Sequence, residues 1–274
     1  MTPNPEPEPL PGAHLDIAKM PGHWLLAKMG KRVLRPGGLE LTHQMLDALA
    51  VGPTDTVVEL APGLGTTARL TLENKPAAYT GIERDEVAAT RVRRILRGPE
   101  QRCLTGTAAN TGLDDGSASV VYGEAMLTMQ TATQKRAIIS EAFRVLEPGG
   151  RYGIHELGLA PDGLSDARKD EVNRDLSGAI RVGARPLTSA EWKAALEAEG
   201  FEILTETRAP MHLLEPARLI RDEGPGGALN FLFNVLRTPA ARRRILAMRS
   251  VFRKHREVLC AVSIVARKPE AAAN

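Results

Sequence analysis

The spacing of apolar positions changes its period along the chain. From His23, the residues Leu25, Leu26, Met29 and Val33 fall on one helical face, and Pro36-Gly37-Gly38 is a stop for that helix. A second helix is expected from near Thr42, with Met45, Leu46 and Leu49 turned inward. From Thr54 the pattern becomes short apolar runs, at 56–60, 78–83, 102–105, 119–122 and 151–157, which read as strands. Amphipathic segments at 66–74, 86–96 and 134–146 read as the helices between them. That alternation predicts a parallel sheet with helices on both faces. A polar helical stretch follows at 165–182. Thr188-Ser189-Ala190-Glu191 has the form of a capping box, opening a helix that ends at Gly200 before a sixth strand at 201–207. Residues 214–256 read as helical again, and 258–266 as a last strand.

Composition narrows the class without changing this picture. The 274 residues are 43% hydrophobic and 25% charged, as in an ordinary globular α/β protein. No apolar run approaches the roughly 18 residues of a membrane span, and the Pro- and Glu-rich start has neither the basic nor the apolar region of a signal peptide. Cys103 and Cys260 are the only cysteines and lack metal-ligand spacing, so no metal site is expected and a cytoplasmic location fits. The formal charge of +3 hides an asymmetry: residues 237–256 hold seven Arg and one Lys with no acid, leaving −5 for the remainder. Such local basicity concerns partners rather than fold.

The segment with chemistry in it is Val57-Val58-Glu59-Leu60-Ala61-Pro62-Gly63-Leu64-Gly65-Thr66-Thr67-Ala68. An apolar strand enters a loop whose glycines let backbone approach a ligand, and a helix N-terminus follows with free N–H groups. Glu83, eighteen residues after Gly65 and at the end of the second strand, can accept both hydroxyls of a ribose at the same crevice. The pattern Gly63-x-Gly65-x-x-Ala68 also satisfies a dinucleotide fingerprint, which keeps an NAD(P)-dependent oxidoreductase open as an alternative. Against it, Glu59 would place negative charge beside a pyrophosphate, and no clear Tyr-x-x-x-Lys pair is present. A catalytically silent cofactor-binding module is the third reading.

Five motifs in order resemble those of the class I S-adenosylmethionine-dependent methyltransferases, particularly the small-molecule branch that includes the quinone-biosynthesis enzymes. They are Glu59-Leu60-Ala61-Pro62-Gly63-Leu64-Gly65, Gly81-Ile82-Glu83-Arg84, Gly106-Thr107-Ala108, the run from Asp115 to Tyr122, and the run from Arg144 to Tyr152. The resemblance implies a Rossmann-like fold: a seven-stranded, mostly parallel sheet with helices on both faces, an N-terminal helical cap, and a helical insertion between strands six and seven. Its division would be a loose tail at 1–11, a cap at 12–52, a cofactor-binding core at 53–212, an insertion serving as acceptor-side lid at 213–256, the last strand at 257–267 and a second tail at 268–274. The implied cofactor is S-adenosyl-L-methionine, with Glu59 near its methionine end, Ala61, Gly63 and Gly65 beneath, and Glu83 on the ribose. Arg84 and Glu124 would border it, and Thr107 with Ala108 would meet the adenine edge. Two positions depart from the family: Ala61 replaces the first loop glycine, and Thr107 replaces the acid that reaches the adenine amino group.

A small-molecule acceptor, with O, N, S or C as the methylated atom, should meet residues just after strands four and five. Met126, Met129 and Glu156 are candidates there, with His212 after strand six, and His155 is the candidate general base. A structural histidine and plain core methionines are the blander readings, and alternation in a strand places His155 and Glu156 on opposite faces. In the insertion, Arg242, Arg249, Arg253 and Arg256 flank an apolar face of Ala241, Ile245, Met248 and Phe252. That basic stripe in 238–256 is expected to steer an anionic acceptor or touch a membrane surface, or else is a solvated face. Nucleic acid is not expected, since aromatics are only 4% and nothing interleaves them with the arginines.

Overall fold

Strand β1 (Thr56–Leu60) is buried almost throughout because it lies in the middle of a sheet covered on both faces. In the computed structural model, which describes residues 10–270, β1 pairs in parallel with β2 (Ala78–Glu83) on one side and β4 (Ala118–Glu124) on the other. β3 (Gln101–Thr105) pairs with β2, and β5 (Leu146–Leu159) with β4, also in parallel. The last strand, β8 (Leu259–Arg267), inserts antiparallel between β5 and β7 (Glu202–Pro210). The order is β3-β2-β1-β4-β5-β8-β7, which contains the seven expected strands, mostly parallel. An eighth, β6 (Leu187–Thr188), adds two residues beside the end of β5.

Alternation along β1 sends side chains to two cores. Val58 and Leu60 pack with α5 (Ala132–Val145) and α7 (Ser189–Glu197), the latter opened by the expected Thr188/Glu191 capping box. Val57 packs on the other face against α2 (Gly38–Leu49), α3 (Thr66–Glu73) and α4 (Glu86–Arg93). A third cluster joins α1 (Gly22–Lys28), α6 (Asp166–Ile180), α8 (Pro216–Arg237) and α9 (Pro239–Lys254) at the ends of β5 and β7. The first helix of the cap therefore packs with the insertion, while α2 packs on the sheet.

Several boundaries differ from the sequence expectation. The first helix does not run to Pro36: it stops at Lys28, and Gly30 turns the chain with φ +103°. The cause is distant in sequence. Glu223 on α8 accepts hydrogen bonds from the N–H groups of Arg32 and Val33, both at 2.9 Å, so those amides cannot serve a helix. Buried Lys31 faces Asp222 and Glu223 at 3.6 and 3.5 Å and fastens the same segment. Val33 is still buried, but from outside any helix. α2 begins at Gly38 rather than near Thr42, and α5 gives way to β5 at Leu146, ahead of the Pro148-Gly149-Gly150 turn. Of the tails, 1–9 and 271–274 lie outside the described residues; Pro11 is buried, and Lys268 donates to the carbonyls of Phe143 and Leu146.

Candidate functional site

β2 and β4 leave β1 in opposite directions, and a crevice opens where the connections part, beyond the carboxyl ends of these strands. It is a cavity of about 890 Å³. The glycine loop forms its floor. Ala61, Gly63 and Gly65 all have left-handed backbone, with φ of +56°, +56° and +73°. The two glycines are needed for different reasons. A Cβ on Gly63 would meet nothing nearer than the Ala61 carbonyl at 3.9 Å, so this position faces the cavity; a Cβ on Gly65 would lie 2.9 Å from Ile95, so that glycine allows α3 to pack. Ala61 holds its turn despite a Cβ, at a cost of roughly 1–2 kcal/mol.

Glu83, at the end of β2, ties the loop to the next connection: its carboxylate accepts from the Gly63 N–H at 2.9 Å and from the Asp85 N–H at 3.0 Å. Glu59 lies one layer lower and accepts from the hydroxyls of Tyr79 and Tyr122, at 2.6 and 2.8 Å. Burial pushes its carboxyl up to about 7, an effect the two hydroxyls only partly offset. Arg84, Thr107 and Ala108 also line the cavity, as expected.

Glu124, at the end of β4, is a hub. It accepts from the Thr42 hydroxyl at 2.6 Å, from His155 Nδ1 at 2.7 Å, and from Arg35 and Thr67. Burial opposes its charge, but the Arg35 guanidinium and the His155 contact hold it well below the usual carboxylate range. Arg35 lines the cavity, while its Nε is buried without a hydrogen-bond partner.

Four expectations for the acceptor side are corrected. His155 is fully buried and does not line the cavity; its Nε2 lies 2.5 Å from the Pro36 carbonyl while Nδ1 meets Glu124. Both ring nitrogens are engaged by these partners, and neither faces the cavity. Glu156 points to the opposite face, where it accepts from the N–H groups of Met126, Leu127 and Thr128 and from the Thr128 hydroxyl; it shapes the loop after β4 rather than touching the cavity. His212 is exposed and outside the cavity, which Met211 and Leu213 line instead. The basic stripe is not at the mouth: Arg249 and Arg253 pair with Glu215 at 3.1 and 2.8 Å, and none of Arg242, Arg249, Arg253 and Arg256 lines the cavity. What α9 turns inward is its apolar face, with Met248 and Phe252 on the cavity wall. Met126 and Met129 do line it.

The sequence reading missed His23, Trp24 and Arg35, all cavity-lining residues from the N-terminal cap. Burial and the nearby Arg84 push the His23 imidazole down to about 4. Nothing in the local pattern distinguishes these polar positions from a solvated helix edge; only the placing of the cap over the crevice does. Glu171, Asp175 and His255 are close enough to share a ligand, but the Lys254 ammonium sits against the two carboxylates at 2.9 and 2.7 Å.

A family model described as a methyltransferase domain matches residues 57–150, the span that carries the glycine loop, Glu83 and Glu124. The chain is 30% identical over 220 residues to an uncharacterised protein of Haemophilus influenzae, covering 79% of this chain and 86% of that one. It is 26% identical to a sterol 24-C-methyltransferase of Neurospora crassa over 74% of its own length and 55% of the relative's, so it spans about half of that enzyme. Among solved structures, the Haemonchus contortus phosphoethanolamine N-methyltransferase 2 in complex with S-adenosyl-L-methionine superposes with a TM-score of 0.67 at 15% identity, over 91% of this chain and 57% of that one. Nothing in these comparisons favours an oxidoreductase. With the glycine loop, the acid ending β2 and the strand order all in place, the chain belongs to the class I S-adenosylmethionine-dependent methyltransferases, enzymes whose cofactor is S-adenosylmethionine.

Proposed function

We propose that this enzyme methylates a lipophilic small molecule held in the apolar end of the cavity. The observation that carries the reading is the division of the cavity wall. One end is polar, formed by Glu59, Gly63, Glu83, Arg84, Thr107, Arg35 and Glu124. The other is apolar, built from Leu157, Leu176, Met211, Leu213, Met248 and Phe252, which belong to one hydrophobic cluster, and Met126 and Met129 add to the wall.

The polar end fits the cofactor. Gly63 leaves room for close backbone approach, and Arg35 lines this end with a guanidinium suited to a carboxylate such as that of the methionine moiety. In this reading Glu83 takes the ribose hydroxyls, Glu59 faces the cationic end, and Thr107 and Ala108 meet the adenine edge, all four being cavity-lining residues. When bound, S-adenosylmethionine supplies an electrophilic methyl group on a cationic sulfonium. The chain's own contribution is then to position the acceptor and exclude water, which in an in-line transfer is the larger part of catalysis. His23 is the histidine among the cavity-lining residues, and its depressed basicity makes it a neutral wall rather than a strong base. An amphipathic quinol, the narrower likeness suggested by the motifs, is one acceptor of this class, and the sterol specificity of the Neurospora relative is in keeping with it. The location consistent with this reading is the cytoplasm; no helix of the described residues is long and apolar enough to cross a membrane.

Transfer of label from methyl-labelled S-adenosylmethionine to a panel of sterols, quinols, long-chain phenols and small charged amines tests this. Turnover is expected with the apolar acceptors. Methylation confined to charged amines would overturn it.

A further inference from the structure

Of the seven large apolar side chains exposed among the described residues, six lie on α8 and α9. Leu229, Leu232, Phe233 and Leu236 are 68%, 50%, 54% and 54% exposed and follow the i, i+3, i+4, i+7 spacing of one helical face. This is not a core stripe turned outward by error: Ala228, Phe231 and Val235 on the opposite face of α8 are buried and hold the helix in place. Leu246 on α9 is 55% exposed as well, with exposed Arg242 and Arg243 one turn before it. Arg237 closes the end of α8 with its guanidinium 4.9 Å from the Phe233 ring.

From Gly224 to Arg256 the chain contains no Asp or Glu. Arg249, Arg253 and Lys254 are paired with acids from elsewhere, but Arg237, Arg242 and Arg243 form no ion pair among the described residues. An apolar ridge edged by unpaired cations is the complement of a surface that is apolar inside and anionic outside. We propose that the outer face of α8 and α9 docks on an anionic lipid bilayer. A second copy of this chain suits the face less well, because a two-fold contact on the ridge would bring the arginines of the two copies together. α9 also lines the cavity from its inner face with Met248 and Phe252, so docking would bring the apolar end of the cavity toward the bilayer. The docking inference stands on the outer face alone and does not need the acceptor assignment.

The test is co-sedimentation of the full chain with vesicles of phosphatidylcholine alone or of equal parts phosphatidylcholine and phosphatidylglycerol. Binding is expected to the anionic vesicles, weakened by salt. The triple variant Leu232→Gln, Phe233→Gln, Leu236→Gln and the triple variant Arg237→Gln, Arg242→Gln, Arg243→Gln should each lower partitioning by roughly tenfold or more. Both should keep wild-type affinity for S-adenosylhomocysteine, which separates lost docking from lost folding. Failure of the wild type to bind anionic vesicles, or unchanged binding by the leucine and phenylalanine variant, overturns the proposal. So does a wild-type dimer that this variant converts to a monomer, since the ridge would then be covered by a second copy.

Discussion

Replacing His155 by alanine separates a positioning residue from a catalytic base. The ring is fully buried, and its two nitrogens contact the Pro36 carbonyl and Glu124. Alanine removes a hydrogen bond to a charged group, worth about 1.5–3 kcal/mol, and leaves a buried carbonyl without a donor at about 1–3 kcal/mol. The expected loss of stability is therefore about 2.5–6 kcal/mol, large against a typical total of 5–15 kcal/mol. Urea unfolding followed by circular dichroism measures it. Glu124 keeps Arg35, Thr42 and Thr67, so affinity for S-adenosylhomocysteine should weaken but persist, and any loss of turnover should be uniform across pH. The reasoning fails if the variant keeps its stability within about 1 kcal/mol while kcat drops by 10² or more and the pH profile loses a limb near neutrality.

Three further outcomes are expected. Glu59 holds its proton up to about pH 7, and a cationic ligand nearby favours the ionised form, so S-adenosylmethionine affinity should rise with pH toward about 7, by up to tenfold per unit, and level off above. Calorimetry at pH 6 in buffers of different ionisation enthalpy should then show proton release, and its absence would remove Glu59 from the binding site. Because the folded-state value lies above the ordinary 4.5, this group's contribution to stability is present at low pH and declines as pH rises from about 4.5 to 7. Gly63→Val puts a branched side chain into left-handed backbone and into the cavity; it should abolish cofactor binding by calorimetry and cost about 1–3 kcal/mol of stability, and retained binding would place the cofactor elsewhere. Ala61→Gly removes strain of roughly 1–2 kcal/mol against about 0.5–1 kcal/mol of added chain entropy, so thermal unfolding should show a small stabilisation, and a clear destabilisation would contradict the strain.

The elements and the polar loop that lines the cavity were legible because they are local. Val57, Val58 and Leu60 next to a glycine loop and an N-terminal helix turn specify a strand, a left-handed turn and a helix from neighbouring residues alone, and Glu83 follows from the repeat of the next strand. The basic helix was likewise legible as a helix with an apolar face of Ala241, Ile245, Met248 and Phe252. What strand alternation could say of His155 and Glu156 was that they oppose one another; it could not say which face holds the cavity, and neither does. That depended on Pro36 and Glu124 converging on the imidazole, and on the amides of 126–128 converging on the carboxylate. The length of α1 was set by Glu223, distant by 190 positions from Val33, whose amide it captures. Periodicity determined which segments are helix or strand and which side of each is apolar. Tertiary structure decided which polar groups satisfy one another and which are left facing a ligand, because a buried donor takes its partner from whichever part of the chain the fold brings within reach.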